Sequence, residues 1–406
     1  MESFENTVLR KDYLRQLMEG KDRTDTVKIV TGMRRCGKST LIRQFIEELK
    51  RTGVEDSSIF YLNFESEEYQ DISDYKEVTE ILRKNVYKKN RTYVLFDEFQ
   101  RVEGWEKNVN SLMVDYDADI YITGSNAYLL SSELATYISG RYIEIKMLPL
   151  SFREYLEINP ISNEKNIDSR FDDYLRYGAL PMVRPDLSGP DFIRGQLEGV
   201  YNTVLVKDVA TRLELRSMDG LRKISKFLFS NIGNMTNIAS TAEAADMSPT
   251  TVKNYVSALE DAYLFYKVER FDVKGKKILN SREKYYVSDT GIRNMTLGWS
   301  RGMDIGRLIE NVVYLELIRR GYEVVVGSFK NWEIDFTASK ADIVEYYQVS
   351  LSIMDPATAE RESRSLDAAD DNFPKMILSM DRVKAEPGKG IRHINVIDWL
   401  LGKEKK

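Results

Sequence analysis

The chain has 406 residues, 42% apolar and 30% charged, with a net charge of −5; this is a folded composition long enough for two or three domains, and it argues against a dominant nucleic-acid-coating role while leaving a local basic face open. A single cysteine, Cys36, and a single histidine, His393, exclude an intrachain disulfide, a cysteine zinc cluster and a multi-histidine metal site. No apolar run approaches the roughly 18 residues of a membrane-spanning helix, so no membrane partner is expected.

The N-terminal stretch MESFENTVLRKDYLRQL is charged and amphipathic and has no apolar signal core, which points to a cytoplasmic protein. Residues 1–25 read as a helix leading into a first strand at 27–31. Short apolar runs follow at 59–64, 93–96, 120–123 and 142–145, rich in β-branched and aromatic residues. Runs apolar on both faces are the mark of parallel strands covered by helices. Helical segments between them start at Ser39, near Asp74, near Trp105 and near Ser131. Strands alternating with helices predict the α/β fold class over residues 1–150, with a parallel sheet and helices on both faces.

The first strand runs into VKIVTGMRRCGKST at 27–40, where Gly32, Gly37, Lys38 and Ser39 fit G-x-x-x-x-G-K-[ST] without a gap. The glycines let successive N–H groups turn toward phosphate, and the following helix adds its positive end. Lys38 supplies a charge for the β- and γ-phosphates, Ser39 a hydroxyl for Mg²⁺, and Thr40 lies under the α-phosphate. Arg34 and Arg35 either touch phosphate or an acidic neighbour, or form a solvated pair. For Cys36, a small filler is favoured over a redox switch.

The run YVLFDEF at 93–99 is a buried strand with Asp97 and Glu98 at its C-terminal tip, the edge where open parallel sheets bind ligands. Asp97 is expected in the Mg²⁺ shell and Glu98 at the attacking water. Another strand ends in IYITGSN, so Ser125 or Asn126 reaches the γ-phosphate or the water, or else forms a plain polar turn. Arg141, before the strand at 142–145, either neutralises charge on the γ-phosphate, from this subunit or from a neighbour in a homo-oligomer, or is a structural arginine at a helix end.

From residue 151 to about 220 the pattern is helical, broken at Tyr177-Gly178-Ala179-Leu180-Pro181, with a linker or helix start at 188–191. Between 236 and 261, Ile238, Ala242 and Ala245 form a small apolar helix face, and Asp246-Met247 turns the chain. Ser248 caps a second helix that has Pro249 at its first position. Val252, Tyr255, Val256 and Leu259 give that helix an apolar stripe, and Thr250, Thr251, Lys253 and Asn254 face outward as on a recognition helix. FYKVERF and the turn Lys274-Gly275-Lys276-Lys277 read as a basic wing. The expected partner is DNA through this winged helix, or a protein, since such folds also serve in packing.

GMRRCGKSTL, YVLFDEFQRVEGW, ITGSN and SGRYIEIKMLPLSFREYL together resemble the prokaryotic AAA-type ATPases, and more narrowly the group whose C-terminal half is a domain of unknown function. YLRYGALPMV, VLVKDVA and KYYVSDTGI carry the resemblance over nearly the whole chain. It implies a P-loop NTPase core at 1–150 that hydrolyses ATP with Mg²⁺, a helical region at 151–220, a winged helix at 221–300, and a smaller α/β module similar to restriction-endonuclease cores at 301–406. Nucleotide state would control the last two. Adenine preference is likewise implied by the resemblance alone.

Restriction-like nucleases place an acid on a helix, an Asp on one strand and Glu-x-Lys on the next, where carboxylates bind Mg²⁺ and the lysine helps activate water. Glu310 in a helix at 306–320 and Asp335 fit the first two places. The third reads Gln348-Val349-Ser350, so the lysine is absent and the acid is an amide. A fold retained without its chemistry is therefore expected, and an ATP-gated nuclease is the least favoured reading.

Overall fold

The computed structural model describes residues 7–86, 91–127, 138, 140–162, 166–272, 274–275, 277–299, 304–329, 332–369, 371–388 and 390–403. The chain divides into two compact units, Met1–Pro149 with Asp261–Tyr263, and Leu150–Glu260 with Leu264–Lys406.

In the first unit, helix α1 (Lys11–Glu19) precedes β1 (Val27–Thr31), α2 (Lys38–Arg51), β2 (Ile59–Asn63), α3 (Tyr75–Asn85), β3 (Thr92–Asp97), α4 (Trp105–Asp115), β4 (Ala118–Gly124) and β5 (Tyr142–Lys146). The helix expected near Ser131 falls outside the described residues. The strands form one sheet in the order β2-β3-β4-β1-β5, every neighbouring pair parallel. Alternation along each strand sends side chains to two cores. Val27, Ile29, Val94, Phe96, Ile120 and Ile122 meet Val78, Leu82, Trp105 and Leu112 of α3 and α4. Val30, Leu95, Tyr121 and Ile145 meet Leu17 of α1 and Leu41, Phe45 and Leu49 of α2. Each fully buried aliphatic or Phe side chain contributes about 1.5–3 kcal/mol, so the helices are fixed on both faces. One polar pair crosses the apolar layer. Lys28 and Asp119 are fully buried and bonded to each other, and Lys28 Nζ also donates to the carbonyls of Arg23 (3.0 Å) and Thr26 (2.9 Å).

The second unit opens with α5 (Phe152–Ile158), started by a capping box between Ser151 and Glu154. Helices α6 (Ile167–Tyr177), α7 (Pro190–Thr203), α8 (Asp219–Ser230), α9 (Ile238–Ala245) and α10 (Pro249–Asp261) follow. The expected break after Tyr177 is where α6 ends at Gly178, whose φ is 83°. The carboxylate of Asp289 fills the space a side chain there would need and accepts from the Ala179 N–H at 2.6 Å. The turn between α9 and α10 has Asp246 in the left-handed region, φ 55°, and Ser248 Oγ accepting from the Thr251 N–H. Val252, Val256 and Leu259 are buried, while Thr250, Lys253 and Asn254 are exposed.

Strands β6 (Phe265–Asp272) and β7 (Lys277–Val287) form an antiparallel hairpin; Lys276 of its turn lies outside the described residues. Helices α11 (Thr290–Leu297) and α12 (Ile305–Arg319) lead to β8 (Glu323–Phe329), β9 (Trp332–Lys340), β10 (Ile343–Val349), α13 (Pro356–Asp367), β11 (Lys375–Ser379), β12 (Ile391–Asn395) and α14 (Val396–Leu400). The sheet order is β12-β11-β10-β9-β8-β6-β7. Strand β6, expected as a wing strand, pairs with β8, so the expected boundary at residue 300 falls inside one sheet. Local turn chemistry marks a hairpin well, but it does not say which strand its free edge will meet.

Candidate functional site

In the first unit the loop after β1 owes its path to two glycines. Gly32 has φ 144°, and a Cβ there would collide with the Met147 carbonyl. Gly37, with φ 108°, stands at the N-cap of α2. From beneath, the buried Arg10 guanidinium donates to the carbonyls of Cys36 (3.1 Å) and Leu148 (2.8 Å), tying the loop to the segment after β5. Cys36 is fully buried, and burial pushes its thiol up, which fits a filler and not a reactive thiol.

Lys38 is 4% exposed and donates to the loop carbonyls of Gly32 (3.0 Å) and Met33 (3.3 Å), with Glu98 Oε1 at 3.5 Å. Burial is the largest influence and opposes its charge, but Glu98, Cys36 and Asp97 together outweigh it and hold the Lys38 pKa above the ordinary value. Asp97 ends β3 with its carboxylate fully buried. It accepts hydrogen bonds from Ser39 at the start of α2, from Thr123 on β4, and from the Tyr61 hydroxyl on β2 at 3.1 Å. Burial raises the Asp97 carboxyl, and the donated hydrogen bonds hold the rise back.

Glu98 follows in the left-handed region, φ 57°, a conformation that costs a non-glycine residue energy and is concentrated at functional sites. Its N–H donates to Thr123 Oγ1 (3.0 Å), and its Oε2 accepts from Gln100 Nε2 (2.6 Å) and Ser125 Oγ (3.2 Å). Burial alone would raise the Glu98 pKa; Lys38, Gln100, Arg34 and Ser125 together bring it below the usual carboxylate value. The structure thus brings together the loop, Lys38, Ser39, Asp97, Glu98 and Ser125.

The remaining expected residues are less central. Asn126 is buried beside Ser125. Arg34 pairs with Glu65 at 3.3 Å, Arg35 is exposed with φ 64°, and Thr40 is half-buried at the start of α2. Arg141 is exposed and donates to the Ile138 carbonyl at 3.0 Å; among the described residues it makes no hydrogen bond to the loop or the acids. Sequence reasoning missed Arg10, Tyr61, Gln100 and Thr123. Thr123 and Gln100 lie within three residues of residues already singled out, and that proximity is the one signal. Arg10 read as one more charge on an amphipathic helix, and Tyr61 as one more apolar strand residue.

The oxygen donors here, a serine hydroxyl and a carboxylate already hydrogen-bonded to each other, fit a hard cation such as Mg²⁺. Lys38 and the N–H groups at the start of α2 fit a phosphate chain.

The chain is similar to two family models and to several known proteins. The AAA domain family matches residues 24–156, and the Domain of unknown function (DUF8612) matches residues 168–302. An uncharacterized protein of Haemophilus influenzae is 37% identical over 401 residues, 97% of this chain and 98% of its own length. Another, from Methanocaldococcus jannaschii, is 30% identical over 330 residues, 76% of this chain and 71% of its own. Among solved structures, the Aeropyrum pernix ORC1 protein in complex with DNA is similar with a TM-score of 0.31 and 11% identity, covering 71% of this chain and 92% of that one.

Proposed function

We infer that this chain, which belongs to the family of AAA-domain proteins with a C-terminal domain of unknown function, binds ATP with Mg²⁺ at residues 32–40 and hydrolyses it. One observation carries the reading: Lys38 and Ser39 of the phosphate loop each contact one of the twin acids, Glu98 and Asp97. Ser39 and Asp97 would hold Mg²⁺, which supplies charge for the phosphate oxygens. Lys38 would exchange its carbonyl partners for β- and γ-phosphate oxygens. Glu98, ionised and held by Gln100 and Ser125, would take the proton of the attacking water. Tyr61 and Thr123 hold the Asp97 carboxylate in place. Arg34, Arg35, Cys36 and Thr40 complete the loop and Asn126 adjoins Ser125; Arg141 stands beside Val27 just before β5, at the end of β1 away from the loop, so a role for it at the γ-phosphate would require a second subunit.

A slow nucleotide-dependent switch that recruits DNA or a protein is the second reading. It is favoured by the exposed Thr250, Lys253 and Asn254 on α10, the second helix of a helix-turn-helix placed before a hairpin. Titration with ATP and GTP analogues, followed by phosphate release with and without duplex DNA, tests both. Saturable ATP binding with Mg²⁺-dependent turnover is expected. Absence of nucleotide binding would end the first reading, and DNA affinity that ignores salt would count against the second.

A further inference from the structure

The second unit buries a lysine that sequence patterning did not single out. Lys284 lies on β7 with its side chain 4% exposed. Its Nζ is 2.9 Å from Glu310 Oε1 of α12, 2.9 Å from Glu333 Oε1 and 3.5 Å from Asp335 Oδ1, both of β9. The array is rigidly framed. Asn311 accepts from the Val287 N–H at 2.8 Å and donates to the Val287 carbonyl at 2.9 Å, which fastens α12 to β7 and brings Glu310 to Lys284. The Tyr286 hydroxyl donates to Glu310 Oε1 at 2.6 Å, and the Val349 N–H donates to Asp335 Oδ2 at 2.9 Å. Gln348 accepts from the Asp335 N–H and donates to Glu362.

An ammonium group has three N–H donors and no acceptor, and here three carboxylates surround it. Burial would strip its proton, but Glu310, Asp335 and Glu333 outweigh that and keep Lys284 charged. Glu310 and Asp335 occupy the two places where the resemblance to nuclease cores leads one to expect metal-binding acids. The lysine absent from the third place has a counterpart here on a different strand. It sits in contact with all three acids, where it competes with any second cation. Among the described residues no group of three or more His, Cys, Asp or Glu is arranged to hold a metal ion.

We propose that the Lys284 ammonium is the resident cation of this carboxylate site, fulfilling internally the charge role of a divalent ion and closing the second unit to metal-dependent phosphodiester cleavage. Lys284 is then a structural counter-ion and not a water-activating lysine.

The test uses the nucleotide-free full-length chain, with Mn²⁺ as the probe. Wild type is expected to show no Mn²⁺-dependent rise in Tm at the second unit and no nicking of supercoiled DNA. Lys284→Met, which uncovers the acids, is expected to gain a dose-dependent Mn²⁺ stabilisation that a further Glu310→Gln change removes. Should Lys284→Met fail to fold, the Lys284→Met/Glu310→Gln pair supplies a metal-free readout, because removing one uncompensated charge should restore folded protein. Three results overturn the proposal: Mg²⁺- or Mn²⁺-dependent nicking by wild type that Asp335→Ala abolishes, a folded Lys284→Met chain indifferent to Mn²⁺, or a double variant no more stable than the single one.

Discussion

Lys38 in the first unit and Lys284 in the second are equally buried, each 4% exposed, and both sit beside carboxylates. Their surroundings differ in what they leave unfinished. Lys38 bonds to two carbonyls of its own loop and has one glutamate at 3.5 Å. Those are contacts an incoming phosphate can replace. Lys284 is enclosed by three acids, two of them at 2.9 Å, so its charge is already spent. The acids respond in opposite directions. Glu98 is held below its ordinary pKa despite burial, by Lys38, Gln100, Arg34 and Ser125. Asp335 is pushed up to about 7 by burial and by Glu310, with Lys284 opposing. A buried lysine therefore marks a ligand site only when its partners are exchangeable.

The largest expected effect is at Glu98. Glu98→Gln should lower kcat for ATP hydrolysis about 10²- to 10⁴-fold with ATP affinity kept; unchanged turnover would make Glu98 a mere counter-ion, like the acids around Lys284. Lys38→Ala should weaken ATP binding about 10²- to 10³-fold in an equilibrium titration, because unpairing a buried charge costs about 2–5 kcal/mol. A loss of only a few-fold would erase the distinction between the two lysines.

The pH response separates the units next. Asp335 has a folded pKa of about 7 against an ordinary 3.8, so the folded state binds the proton more tightly. Stability of the second unit should therefore fall as pH rises from about 4 to about 7 and level off above, by at most about 4 kcal/mol. Glu98 has the opposite sign, its contribution being present above its ordinary 4.5 and lost as pH falls through its lowered value. Thermal unfolding at pH 5.5 and 8 should show the slope, and Asp335→Asn should flatten it; an unchanged slope in that variant would assign it elsewhere. The smallest effect is at Gln100. Gln100→Ala should cost about tenfold in kcat with ATP affinity intact, since a hydrogen bond to a charged group is worth about 1.5–3 kcal/mol before water substitutes.

Much of the first unit was legible because its signals are local. Apolar runs gave the five described strands of the parallel sheet to within about two residues, and the loop pattern placed Gly32, Gly37, Lys38 and Ser39 on one turn. The tip of β3 exposed Asp97 and Glu98 as a pair. Ser39 and Ser125 among their hydrogen-bond partners were singled out as well, but Tyr61 and Thr123 were not, since they come from neighbouring strands whose order is set by packing. The second unit read less well for the same reason. Gln348 suggested an emptied nuclease site, and nothing near it in sequence pointed to Lys284, 64 positions earlier.

Spacing along the chain determined by itself where backbone turns, helix starts and strand tips would fall, because glycine φ freedom, capping side chains and apolar periodicity act over a few residues. Tertiary structure alone decided which elements became neighbours: β6 against β8, and β7 against α12. That choice fixed which charges share a buried site. Electrostatic partners are selected by distance in space, and a distance of 3.5 Å leaves no trace in a separation of 51 residues, as between Lys284 and Asp335.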